Sequence, residues 1–145
     1  MISTDLARSL RESGLHWAPV SGDVFQLAPG SGAGEDGELE GDLFTVSDMT
    51  IEAHVYPTGT ILGFNGTTEW ALDSVALEDA LWLPREDQLR DRLQSTFRGL
   101  DRIEAPHGIE YRVRVERAGG EHVYVSDDPA EAYALALLDL IRASA

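Results

Sequence analysis

The stretch TIEAHVYPTGTILGFNGTTEWALDS, Thr50–Ser74, decides the fold. Its apolar residues recur at every second position, the period of a strand and not of a helix. Pro57-Thr58-Gly59 and Asn65-Gly66 punctuate it, and Asn-Gly is the favoured two-residue hairpin loop because both positions take positive φ. Three strands are therefore expected, Thr50–Tyr56, Thr60–Phe64 and Thr67–Leu72. A loop at Asn65-Gly66 sets Phe64 opposite Thr67, Leu62 opposite Glu69 and Ile61 opposite Trp70. A loop at Thr58-Gly59 sets Val55 opposite Leu62 and Tyr56 opposite Ile61. One face then carries Ala53, Val55, Leu62, Phe64 and Ala71, and the other carries Tyr56, Ile61, Trp70 and Leu72. A sheet that is apolar on both faces needs cover on both. Helices can supply one cover. A second copy of the chain is the expected cover for Tyr56, Ile61, Trp70 and Leu72, which makes them the candidate homodimer interface.

The same pairing puts His54 beside Gly63 and Thr68, where the missing glycine side chain leaves room for a pocket. His54, Thr68 and Trp70 are accordingly the candidate binding residues of an alternative reading, a small-ligand binder or enzyme. Glu69 and Asp73 lie four apart, which separates two carboxylates on a strand, so no acid–base pair is expected from them.

On the N-terminal side, Ser3 or Thr4 can cap a helix running to about Ser13, with Leu6 and Leu10 on one face and Gly14 as its stop. A strand follows near Asp23–Ala28. The run PGSGAGEDGELEGD, Pro29–Asp42, has no apolar period and reads as a flexible acidic loop inside a single domain spanning residues 1–145. Leu43–Ser47 is a further strand. On the C-terminal side, PREDQLRDRLQSTFRGL reads as a helix with Leu89, Leu93 and Phe97 as its stripe and Glu86 and Asp87 in its first turn. IEYRVRVE, Ile109–Glu116, alternates strictly, and Arg117-Ala-Gly-Gly120 turns it into a strand over Glu121–Val125. Asp128, Pro129 and Glu131 then open a last helix as N-cap, N1 and capping-box residue. Tyr133, Leu137, Leu138, Leu140 and Ile141 form its apolar face. The fold class is α+β, an antiparallel sheet of five to seven strands with three helices.

Composition removes several chemistries. The 145 residues contain no cysteine, which excludes disulfides, thiolate metal sites and thiol nucleophiles. The formal net charge is −15, and all eleven basic residues are arginine. That field repels phosphate backbones, so direct nucleic-acid binding is not expected, whereas an acidic nucleic-acid mimic seated on a basic partner is a third reading. No apolar run reaches membrane-span length and the N-terminus lacks a signal-peptide pattern, so membrane association is not expected and a cytoplasmic location is.

Two motifs match only formally. Gly32–Gly37 fits GxGxxG, yet acids fill it and no helix follows to present N–H groups to a pyrophosphate. Asp36, Glu38 and Glu40 begin like a calcium loop, but Ser47 stands where the bidentate glutamate belongs. His16, His54, His107 and His122 are scattered without ligand spacing. No metal or cofactor is expected, and GxSxG and Walker A sequences are absent.

The FNGTTEWALDS hairpin, the ALWLPREDQLRDRL helix entry and the DPAEAYALALL helix together resemble small uncharacterised proteins of high-GC bacteria, across roughly Ser47–Ile141. Some of those carry the name pilus assembly. Pilus-assembly ATPases use a P-loop that this chain lacks, so the resemblance implies no functional residues. The expected function is a non-catalytic binding or protein-interaction module acting as a homodimer.

Overall fold

The computed structural model of the chain describes residues 1–27, 43–47, 51–57, 59–64 and 74–144. The fold is α+β. Among the described residues, three helices accompany three antiparallel sheets of three strands each. That replaces the expected single sheet of five to seven strands. Each sheet is centred on one strand with a neighbour on either side. The chain divides into two compact units, Trp17–Leu83 and Met1–His16 with Pro84–Ala145.

The charge divides with them. Residues 17–83 hold twelve acids and no arginine, a formal −12, whereas the other unit sets all eleven arginines against fourteen acids, a formal −3.

Along Trp17–Leu83 run β1 Val24–Leu27, β2 Leu43–Thr45, β3 Ile51–Tyr56, β4 Gly59–Phe64, β5 Ser74–Ala76 and β6 Ala80–Leu83. The first sheet has the order β2-β1-β6, with Phe25 between Phe44 and Trp82. All four residues of β6 are buried, which explains its continuous apolar run, Ala80-Leu81-Trp82-Leu83. Phe25, Leu27, Phe44, Val46 and Ala80 form the core of this unit, with Trp17, Ala53 and Leu77 packed against it. Trp17 stacks on Trp82 with ring centroids 6.1 Å apart and lies 5.6 Å from Phe25. Asp23 is buried there, and its Oδ2 accepts from Trp17 Nε1 at 2.9 Å and from the Val20 N–H at 3.1 Å.

The second sheet, β3-β4-β5, is the meander read from Thr50–Ser74, in a different register. Tyr56 stands opposite Gly59, where the expected loop at Thr58-Gly59 would have set it opposite Ile61. Gly59 takes a φ of 142°, open to glycine and strained for other residues. The slip is two residues, so the alternation survives: Ala53 pairs with Leu62 and His54 with Ile61. On the other edge of β4, Ile61 pairs with Ala76 and Leu62 with Val75, in place of the expected Trp70 and Glu69. The expected strand Thr67–Leu72 lies outside the described residues.

The other unit begins with α1, Thr4–Glu12, where Ser3 Oγ accepts the Leu6 N–H at 3.2 Å and buried Leu6 and Leu10 line one face. Helix α2, Glu86–Leu93, opens with the Gln88 side chain accepting the Arg85 N–H at 3.0 Å. It stops at Leu93, about one turn shorter than the spacing of Leu89, Leu93 and Phe97 implies. Gln94 turns to a φ of 52°, Thr96 Oγ1 donates to the Leu93 carbonyl at 2.6 Å, and Phe97 starts a strand. From Phe97 onward the period is two, with half-buried Phe97, Gly99, Asp101, Ile103 and Ala105 alternating with exposed residues.

This strand, β7 Phe97–Ala105, pairs with β8 Gly108–Arg117, and β8 pairs with β9 Gly120–Ser126. Val113 and Val115 are buried on one face as expected, while Arg114 on the other pairs with Asp101 at 2.8 Å. Helix α3, Pro129–Ser144, packs on β8, β9, α1 and α2. Asp128 caps it, Oδ1 accepting the Ala130 N–H at 2.8 Å. Glu131 does not close a capping box at its own helix, because the Asp128 N–H already donates to Ser126 Oγ. No helix among the described residues is long and apolar enough to cross a membrane.

Candidate interaction site at the β9 edge and helix α3

Strand β9 has a neighbour on one side only, so among the described residues it is an edge of its sheet. Helix α3 runs back alongside it and leaves a groove of about 510 Å³. Leu138 forms a buried floor, the edge of β9 over Val123–Val125 and Leu135 of α3 form the sides, and Asp139 and Arg142 stand at the rim. Val123 and Val125 are 48% and 45% exposed. β-Branched residues on an unguarded strand edge, with no lysine, proline or bulge to blunt it, are what a partner strand pairs with.

The rim is electrostatically ordered. Arg117 Nη2 donates to Asp139 Oδ2 at 2.9 Å and to the Tyr124 hydroxyl at 3.0 Å, and Tyr124 donates in turn to Asp139. The Tyr124 bond, helped by the Arg117 charge, holds the Asp139 carboxyl below its usual range against the opposing effect of burial. Burial first, then donation to Asp139, pushes the Tyr124 hydroxyl up. The Arg117 Nε is buried with no acceptor among the described residues. Asp139 is thus committed to Arg117 and Tyr124. Arg142, one turn on, makes no hydrogen bond or ion pair among the described residues.

The residues expected to form a site fall elsewhere. His54 stands at the register position opposite Ile61, and Gly63 is opposite Glu52, so the expected neighbourhood of His54 with Gly63 gives way to one with Ile61. Tyr56 sits at the loop end of β3 opposite Gly59. Thr68, Trp70 and Leu72 lie outside the described residues, as do Glu69, Asp73 and the formal motifs of Pro29–Asp42. Among the described residues no three His, Asp or Glu side chains converge as metal ligands, and His107 Nε2 pairs singly with Glu110 at 2.8 Å. The β9–α3 groove escaped the sequence reading. Its signal was present in Glu121-His122-Val123-Tyr124-Val125, apolar on both alternating faces and last in its sheet.

Comparison with family models, curated proteins and solved structures finds no match to this chain.

Proposed function

We propose that the protein is a non-catalytic interaction module that acts as a homodimer, binding through strand edges rather than through a chemically equipped cleft. The observation that carries this reading is the β9 edge, with Val123 and Val125 exposed and with Leu135 and Arg142, unpaired among the described residues, on the same groove. Docking a strand there satisfies backbone groups and covers β-branched side chains in one step. Val55 of β3, 82% exposed on an outer strand, adds a second uncovered apolar position. Sedimentation velocity across a concentration series tests the reading. It predicts a concentration-dependent shift from monomer to dimer, and a single monomeric species throughout refutes it.

One further observation favours a second reading, the acidic nucleic-acid mimic. Twelve acids without one base fall in Trp17–Leu83, a density of like charge that suits a basic partner's groove. This reading predicts capture of a DNA-binding protein at low salt and its release at high salt. Equal retention at both would contradict it.

A further inference from the structure

We propose that the partner at the β9 edge is the β9 strand of a second copy, paired antiparallel about a two-fold axis through Val123. This rests on the homodimer reading and specifies its surface.

The register follows from charge. Centred on Val123, the pairing sets Val123 against Val123, His122 against Tyr124, Glu121 against Val125 and Gly119 against Asp127, so no like charges face each other. A register centred on Tyr124 would oppose Glu121 to Asp127, two carboxylates, and is disfavoured.

Helix α3 selects the same arrangement. It starts beside the end of β9 and returns along it, as the Tyr124–Asp139 contact and the shared lining of Val123 and Arg142 require. From Pro129 to Arg142 the helix climbs about 20 Å at 1.5 Å per residue. From Ser126 back to Gly120 the strand covers about the same at 3.3 Å per residue. Arg142 therefore stands level with Gly120 and Glu121, where the second copy brings its Asp127. Asp127 is exposed and, like Arg142, has no partner among the described residues. The two-fold makes this Arg142–Asp127 contact twice and joins two three-stranded sheets into one of six. It uses the unit of formal charge −3, which keeps the mutual repulsion of two −15 chains from concentrating at the contact.

The absence of cysteine makes the test clean. Residues directly opposite in an antiparallel pair have Cα atoms roughly 4.5–5.5 Å apart, within disulfide range. Under mild oxidation Val123→Cys should form a covalent dimer faster than Leu100→Cys, a collisional control of similar exposure on β7, the opposite edge of the same sheet. Asp127→Arg and Arg142→Asp should each weaken dimerisation roughly tenfold, and the double variant should restore it. Restoration separates the contact from any folding defect in the single variants. If the wild type dimerises but Val123→Cys crosslinks no faster than the control and the charge swap restores nothing, the β9 pairing is wrong and the homodimer reading stands. If the wild type is monomeric at every concentration, both fall.

Discussion

Glu131, in the first turn of α3, accepts the backbone N–H of Ser3, the N-cap of α1, at 2.5 Å. A residue placed to cap its own helix instead caps another one 128 positions away in the chain, and so fixes where α1 docks on α3. The charged acceptor serves one of the N-terminal donors that a helix leaves unpaired. Glu131→Ala should therefore cost about 0.5–1.5 kcal/mol in denaturant unfolding, and Glu131→Gln, which keeps an acceptor, should cost less. Equal losses for both would show that the contact does not depend on the acceptor.

Asp23 is the second polar anchor. It is 1% exposed and gathers the Trp17 indole N–H and the Val20 N–H on a single oxygen. Asp23→Ala leaves those donors without it in an aromatic core, a loss of about 1–3 kcal/mol. Trp17 fluorescence reports the same event, since the ring is stacked on Trp82 only while this corner is held. An unchanged midpoint and an unchanged spectrum would contradict the assignment.

Gln94 ends α2 at a φ of 52° and a ψ of −132°, a conformation that side chains with a Cβ adopt at a cost. Replacement by glycine removes that strain, and Gln94→Gly is predicted to raise stability by about 1 kcal/mol despite the added freedom of the unfolded chain. Thermal unfolding checks it, and a lowered midpoint would show that the residue is not strained.

The Arg117–Tyr124–Asp139 cluster gives the unit a pH dependence at both ends. Asp139, lowered first by the Tyr124 bond, contributes stability that is complete above its unfolded value near 3.9 and is lost as pH falls through the lower folded value. Tyr124, raised by burial and by Asp139, contributes stability that is complete below about 10 and is lost as pH rises through its higher folded value. In Tyr124→Phe the Asp139 carboxyl should titrate at higher pH, measured by carboxyl-carbon NMR. An Asp139 that titrates unchanged would place the cause elsewhere.

Local patterns carried most of the elements into the sequence. Ser3, Gly14, Asp128 and Pro129 mark helix ends by their own conformational preferences, and the alternation of Val113 and Val115 with arginines marks β8. Two kinds of feature were hidden. The extension of α2 to Phe97 followed a true spacing of four, but nothing local signals that Gln94 takes positive φ and that a polar strand, Phe97–Ala105, begins there. Pairings over long separations were hidden for a different reason. The match of Val24–Leu27 with Ala80–Leu83, and of Ile61 with Ala76, depends on which edge is vacant once the chain has folded. The groove at β9 is of the same kind, because a strand's position at an edge is a property of the sheet and not of the strand.

The most direct test compares the molar mass of the wild type and of Val123→Arg by light scattering at matched concentrations. The prediction is a wild-type mass that rises toward twice 15.8 kDa and a variant that remains at 15.8 kDa while keeping the wild type's folded circular dichroism spectrum. A wild type fixed at 15.8 kDa, or a variant that dimerises as the wild type does, would contradict it.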